Sequence, residues 1–518
     1  MTTLCELIQA SVARYPNNVL VHHRGRDRTY GEIWDQATAV AGWLRDRGLR
    51  RGQRVALLVP NSPEYVVCYF GILMAEGIVV ALNPDTTPRE LQHALVHCEP
   101  AVVMATAKCT NHLRAIAGKL PWVRATIQLE DGEPEPLAPG QSAVTLSNVL
   151  AHAPLDRPAE NANASQAAQI IYTSGTTGSP KGVTLTHRNV VANCRSIVEY
   201  LRLQASDSIF VVLPFFYSYG NSLLLTHVAA GGRLVLASDF VFWSRALDLM
   251  EQQRATGFAG VPSTYAMLLH KTNFTERAFS DLRYLTCAGG GLAPATVERL
   301  RSAVPHAEIF PMYGQTEATA RLSTLMPKDL DAKPGSIGKG IPGVELSVLD
   351  KHGHPVAVGE VGEIVARGEN VMLGYWDDPR STRRVLREGR LHTGDMARVD
   401  EDGYIYVVGR RSDIIKSNSY RIDPKEIEEL IFEMEGIVDV AVVGRADEML
   451  GEVAVAFVVP SSNGDRPSEQ AVAEHANRNL PRYKHLRNVH MLDALPKTDS
   501  GKVKRAELRL LASSMAQG

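Results

Sequence analysis

From Thr29 onward the apolar positions alternate between two periods. In TYGEIWDQATAVAGWLRDRG the residues Ile33, Ala37, Val40, Ala41 and Leu44 recur at the three- and four-residue spacing of one helical face, and the following RVALLVP is a short apolar run of the buried-strand kind. PEYVVCYFGILMAEG predicts a second helix and IVVALNP a second strand. Strands alternating with helices predict a parallel sheet covered on both faces. Further on, SIFVVLPFFYSYGNSLLLTHVAAGGRLVLAS reads as strand, aromatic turn, helix and strand. TGFAGVPSTYAMLLH and LRYLTCAGGGLAPATVERLRSAV each repeat strand then helix. These junctions lie at carboxyl ends of strands, where open α/β sheets bind ligands. Between Gln128 and Asn163 the pattern gives way to Pro, Glu, Asp and Ala, which predicts an irregular connection.

From Gly335 to Gly409 glycines, prolines and alternating valines (GVELSVLD, GEIVARG, ARVDEDGYIYVVGR) predict antiparallel β structure. A boundary falls at GRRSD, residues 409–413. Beyond it, DPKEIEELIFEME predicts a helix with Asp423 as cap, Pro424 at the first helical position and Glu426 closing a capping box. VDVAVVG and EVAVAFVVP read as strands, and LPKTDSGKVKRAELRLL places Lys502 in a glycine-containing loop before a last helix. The expected fold is α/β. A large N-terminal domain (1–409) has mixed and parallel sheets flanked by helices plus a β-rich subdomain, and a small α+β C-terminal domain (410–518) follows.

The 518 residues are enough for more than one domain, and a formal net charge of −2 gives no footprint for nucleic acid. The first helix carries Glu6 within its apolar pattern and lacks a basic start, unlike a secretory signal. The most apolar stretch, Val55 to Leu82, is interrupted by Pro60, Asn61, Pro63, Glu64 and Glu76, so no membrane span is expected. The cysteines at 5, 68, 98, 109, 194 and 287 have no metal-ligand spacing and fit buried thiols in a reducing cytosol. Together these features predict a soluble, cytoplasmic protein.

Candidate chemistry concentrates in IIYTSGTTGSPKGVTLTH, Ile170 to His187. Hydroxyls and glycines at Thr173, Ser174, Gly175, Thr176, Thr177 and Gly178, followed by Lys181, can wrap backbone N–H groups and one positive charge around phosphate. The predicted order is strand, loop and helix, with Thr186 or Asn189 as cap; taken alone the loop also fits a solvated surface turn. Gly178 is followed by Ser-Pro-Lys-Gly, which breaks the Walker spacing and removes support for γ-phosphate transfer. YGQTE offers Tyr313, Gly314, Thr316 and Glu317: a ring for a base, a hydroxyl for phosphate, a carboxylate for Mg²⁺. Asp395 in HTGDM either binds a sugar diol or closes a turn, Gly289 to Gly291 either approach a ligand or only turn, and Phe215, Tyr217 and Tyr219 line either a substrate pocket or the core.

In order along the chain, YTSGTTGSPKG, YGQTE, TGD, GRRSDIIKSNSYRIDPKEIEE and LPKTDSGKVKR resemble the motifs of the AMP-forming adenylating superfamily. That superfamily comprises acyl- and aryl-CoA synthetases, firefly-type luciferases and peptide-synthetase adenylation domains, and the chain is most like an acyl- or aryl-CoA ligase. The resemblance runs from about Thr29 to Leu508. It implies attack of a carboxylate on the α-phosphorus of Mg·ATP, giving an acyl-adenylate and pyrophosphate, and then displacement of AMP by a thiol. It further implies that residues 173–181 hold the β- and γ-phosphates, Thr316 contacts phosphate and Glu317 holds Mg²⁺. Gly289, Gly290, Gly291 and Tyr313 would flank adenine; Asp395 and Arg410 would bind ribose. Lys502 would be the catalytic lysine on a mobile domain hinged at 409–413, and Lys416 a second contact to the adenylate.

The chain departs from the family pattern at Ser412 and at Asn418-Ser419, where plant-type aryl-CoA ligases carry Lys-Gly beside the pantetheine tunnel. The expected acceptor is CoA, with a carrier-protein phosphopantetheine or an amine as alternatives. Tyr217 stands where luciferases and aryl-CoA ligases commonly carry histidine, and Ser218 near the aspartate of amino-acid-activating domains. The expected substrate is therefore an aryl or medium-chain acid without an α-amino group. A non-catalytic nucleotide-binding protein would have no use for Lys502.

Overall fold

The computed structural model describes residues 2–515 except 157–162, 174–179, 238–242, 411–412, 414, 418–419, 448–449, 462–465 and 499–500. Among the described residues four sheets form. The first runs Gly374–Tyr375, Lys181–Thr186, Ala167–Thr173, Ile78–Ala81, Arg54–Leu58, Val102–Ala105, Ala125–Gln128 and Ser142–Thr145. The second runs Lys339–Gly340, Ser323–Thr324, Glu308–Tyr313, Tyr284–Cys287, Gly257–Gly260, Ser208–Val211, Arg233–Leu236, Val19–His23 and Arg26–Thr29. Both are parallel in their centres, as the alternating pattern predicts, and antiparallel at an edge.

The main core lies between these two sheets and is filled by helices. Pro63–Met74 is buried at every position but Glu64, as expected of a helix apolar all round, and Ser62 caps it with Pro63 at the first helical position. Gly71 lets Tyr30–Asp46 cross it closely, since a Cβ there would fall 2.6 Å from Val40 Cγ1. Ser218–Ala230 is likewise buried along most of its length and ends at Gly231 in the left-handed conformation. All six cysteines are free and buried, and burial pushes the thiols of Cys5, Cys68, Cys98 and Cys194 up to about 12. No helix among the described residues is long and apolar enough to cross a membrane.

Two sequence expectations change here. The stretch from Lys181 is a strand first: Lys181–Thr186 pairs antiparallel with Ala167–Thr173, with Lys181 opposite Thr173. Val183 and Leu185 alternate with polar residues, a two-residue period that the helical run from Val190 obscured. The helix His187–Leu201 then starts at Thr186, which caps it in a capping box with Asn189. In the predicted irregular connection, Ser142–Thr145 adds a parallel edge strand and Thr145 caps the helix Leu146–Leu150. One strand and one turn of helix are too short to declare a period.

The β-rich part consists of Val344–Leu349, Val361–Gly368, Leu386–Arg387, Arg390–Val399 and Ile405–Arg410, all antiparallel. After it, Tyr420–Ile422, Ile415–Ser417, Gly451–Pro460, Ile437–Asp447 and Leu486–Met491 make a separate sheet with its own apolar core around Ile427, Ile431, Val442 and Val458. Asp423 caps the helix Pro424–Phe432 as expected, but Glu426 does not close a capping box: both its carboxylate oxygens accept from Lys484 Nζ instead.

Burial has a consequence for acid stability. His227 is wholly inside, its Nδ1 donating to the Leu223 carbonyl at 2.9 Å and its Nε2 accepting from the Tyr284 hydroxyl at 3.0 Å. Both nitrogens are used in the neutral form, and burial pushes the ring down to about 4. The unfolded chain takes up this proton near the ordinary value of 6.5, so its contribution is full above that pH and is lost as the pH falls toward 4. The thermal unfolding midpoint is expected to fall across that window, and His227→Gln to flatten the slope. An unchanged slope in the variant would exclude His227 as its source.

Candidate active site

The carboxyl ends of the second sheet's strands collect the expected residues. Thr316 and Glu317 open a single 3-10 turn, Thr316–Ala318, directly after the strand Glu308–Tyr313. The hydroxyl of Thr316 lies 3.1 Å from that of Ser218, the first residue of the helix Ser218–Ala230. Tyr375 donates its hydroxyl to Glu317 Oε1 at 2.8 Å and offers its ring face to Lys181, whose Nζ is 5.1 Å from the centroid. One tyrosine thus contacts both the lysine and the carboxylate. Sequence reading missed Tyr375, because the strand Gly374–Tyr375 that delivers it is two residues long.

On the other side lies the glycine run. Gly289 has φ +87°, which favours glycine, and a Cβ on it would meet Val261 Cγ1 at 3.3 Å. Val261 also faces the Lys502 loop, where a Cβ on Gly501 would fall 3.3 Å from Val261 Cγ2 and 3.5 Å from Ser263 Oγ. The loop is held by its own turn: Thr498 accepts the Lys502 N–H at 3.1 Å and donates its N–H to the Lys502 carbonyl at 2.7 Å. The structure therefore brings residue 502 beside the glycine run although 211 positions separate it from Gly291 in sequence (502 − 291).

Lys425 joins them from the same C-terminal part. A Cβ on Gly291 would be 2.8 Å from its Nζ, and the lysine helps to line a cavity of about 170 Å³ with Gly290, Gly291, Pro311, Met312 and Ile337. In the sequence this lysine reads only as part of a helix start. Its neighbour Asp423 accepts the Lys425 N–H at 2.8 Å, and burial pushes that carboxyl up to about 7.

Tyr313 donates its hydroxyl to Asp395 Oδ2 at 2.6 Å, and Asp395 sits opposite Arg410 in the antiparallel register of their strands. The buried Asp395 is fixed by its own backbone, its N–H donating to Thr393 Oγ1 at 3.1 Å. Arg410 and Lys416 are described by their backbone alone, and Ser174, Gly175, Thr176, Thr177, Gly178, Ser412, Asn418 and Ser419 lie outside the described residues. Gly314 packs against the turn it opens, a Cβ there falling 2.0 Å from the Ala320 carbonyl oxygen.

The aromatic trio divides. Phe215, expected to line the pocket, is wholly buried against Tyr65 at 5.4 Å between ring centroids, with its N–H donating to Asn61 Oδ1; it belongs to the core. Tyr217 and Tyr219 are half-buried, and Tyr219 donates to Thr286 at the end of the strand Tyr284–Cys287. Among the described residues no cluster of three or more His, Cys, Asp or Glu is arranged to hold a metal.

A model of the AMP-binding enzyme family matches residues 8–376, and one of the AMP-binding enzyme C-terminal domain matches residues 426–502. The chain belongs to the AMP-binding enzyme family. Relatives of this AMP-binding enzyme include a feruloyl-CoA synthase from Amycolatopsis sp, 34% identical over 498 residues, covering 95% of this chain and 96% of the relative. A long-chain-fatty-acid–CoA ligase from Bacillus subtilis (strain 168) is 30% identical over 537 residues, covering 98% and 94% respectively. Among solved structures, the anthranilate CoA ligase AuaEII in complex with anthranoyl-AMP superposes with a TM-score of 0.92 at 26% identity, over 100% of this chain and 98% of that one.

Proposed function

We propose that the protein condenses a carboxylic acid with ATP, releasing pyrophosphate, and passes the acyl group from the adenylate to the thiol of CoA. The observation that carries this reading is the seating of the Lys502 loop on Val261, beside the glycine run and on the same side of the molecule as Thr316 and Glu317. In the first step a carboxylate oxygen bonds to the α-phosphorus while the bond to the pyrophosphate oxygen breaks. Two anions must meet, so the residues' task is to neutralise charge along the triphosphate and to hold the partners in line.

In this reading Lys181 and the loop from Thr173 bind the β- and γ-phosphates, Thr316 donates to a phosphate oxygen, and Asp395 and Arg410 hold the ribose hydroxyls. The cavity beside Gly290 and Gly291 takes the adenine, with Tyr313 against the same strand end. Lys502 bridges the incoming carboxylate and the α-phosphate, and Lys416 contacts the adenylate. Among the described residues Glu317 belongs to no group of three or more His, Cys, Asp or Glu that could hold a metal, which fits Mg²⁺ held mainly by phosphate and water. When bound, that ion supplies further neutralisation of phosphate charge. In the second step the thiol sulfur bonds to the acyl carbon and AMP leaves, after residues 410–518 turn at the hinge and withdraw Lys502.

The CoA-ligase names of the relatives support CoA as the acceptor. Ser218 bonds Thr316 where an amino-acid-activating site would need a carboxylate, which supports an acid without an α-amino group. The test is a panel of carboxylic acids with ATP and hydroxylamine, followed by mass analysis of products when CoA, a phosphopantetheinylated carrier protein or an amine replaces hydroxylamine. AMP, pyrophosphate and an acyl-CoA are expected. ADP as product, thioester formation with the carrier alone, or robust pyrophosphate release with ordinary amino acids would each overturn the corresponding part.

A further inference from the structure

Arg321 is the largest of the side chains with under 2% exposure. It follows the turn that carries Thr316 and Glu317, and its backbone is clamped: Asn193 Nδ2 and Asn370 Nδ2 both donate to its carbonyl, at 2.9 and 3.0 Å. Two residues earlier, Thr319 is held at φ +70°, an outlier for a β-branched residue, by its hydroxyl donating to the Asn370 carbonyl at 2.7 Å. The surrounding contacts thus force the chain to send an arginine inward.

What it meets there is neutral. Nη1 donates to Ser222 Oγ at 2.9 Å, Nε faces Met312 Sδ at 2.8 Å, and the guanidinium lies 4.4 Å from the centre of the Tyr219 ring. The Tyr200 hydroxyl also lies within hydrogen-bonding reach of the guanidinium, and no carboxylate among the described residues pairs with the group. A buried cation without an anion is strongly unfavourable, and as mere filling an apolar side chain would serve better. Tyr219 and Ser222 lie on the helix whose first residue, Ser218, bonds Thr316. Ser222 is one turn further along that helix, roughly 6 Å.

We propose that Arg321 binds a second carboxylate at the far end of the acid, so that the preferred substrates are dicarboxylic acids with a short chain or one ring between the two groups. The inference rests on the adenylating reading above. One carboxylate meets ATP beside Thr316; the other pairs with the guanidinium, whose planar fork suits a carboxylate, while Tyr219 covers the apolar span between them. Monoacids leave the buried charge unpaired and bind less well.

The test compares glutarate, adipate and terephthalate with hexanoate and 4-methylbenzoate, by AMP release with the wild-type protein and Arg321→Met. Wild type is expected to favour the diacids by roughly 10- to 100-fold in kcat/KM, and the variant to lose that preference while keeping monoacid turnover. Thermal stabilisation of the wild-type protein by diacids over monoacids supplies a readout that does not depend on the variant folding. Turnover of monoacids alone, or an equal loss with both classes in the variant, would overturn the proposal and leave the adenylating activity standing. Absence of AMP with every acid would overturn both.

Discussion

Lys502→Ala is expected to slow acyl-adenylate formation by on the order of 10²–10³ while leaving thioester formation from a supplied acyl-adenylate near the wild-type rate. The two half-reactions place opposite demands on one site. Adenylation brings a carboxylate against the α-phosphate and needs a cation between them; thiol attack on the adenylate's acyl carbon needs that space cleared for the incoming thiol. The Lys502 turn is docked through Gly501 on Val261, with φ +79° at the glycine and a tight 3.3 Å between an added Cβ and Val261 Cγ2. In the proposed mechanism its cation comes with the docked C-terminal part and leaves with it. Pyrophosphate exchange reads the first half-reaction, and release of AMP from synthetic acyl-adenylate plus CoA reads the second. Full exchange activity in the variant would remove Lys502 from the chemistry, and an equal loss in both assays would make it a folding residue.

The legibility of this site in the sequence follows from the length of the signals. Helices such as Tyr30–Asp46 and Pro63–Met74 declare themselves through a dozen or more positions, and the strands between them through apolar runs. The parallel sheets could be read from that alternation. The strand Lys181–Thr186 could not, because its period of two is spread over six residues that merge into a longer helical signal. Phe215 shows a different limit: in PFFYSYG neighbouring aromatics share one composition, and only the packing of Tyr65 against one of them separates core from pocket. Arg321 was invisible for a third reason. A lone arginine after a turn is ordinarily a solvated charge, and its burial arises from Asn193 and Asn370, which lie 128 and 49 positions away and carry no local pattern. Lys425 and Tyr375 reach the site in the same way, from elements whose own sequence speaks only of a helix start or of nothing at all.

Glu317→Gln is expected to lower kcat/KM for ATP by on the order of 10²–10³ and to raise the Mg²⁺ concentration needed for half-maximal rate. The substitution keeps the shape and the hydrogen bond that Tyr375 donates, since the amide oxygen can still accept it, and removes only the negative charge. Thr316 and the 3-10 turn keep their places, so a loss of activity reports on charge and not on the turn. Tyr375→Phe gives the complementary case. The ring face toward Lys181 is retained while the hydroxyl bridge to Glu317 is lost, leaving the carboxylate charged but less fixed. A smaller fall in kcat/KM is expected, with the Mg²⁺ dependence moved in the same direction as in Glu317→Gln. If both variants lose activity with an unchanged Mg²⁺ titration, the carboxylate acts on Lys181 across Tyr375 and holds no metal. A shift confined to Glu317→Gln would instead mean that the tyrosine orients Lys181 alone, because a carboxylate that bound the ion without its hydroxyl partner would titrate as the wild type does.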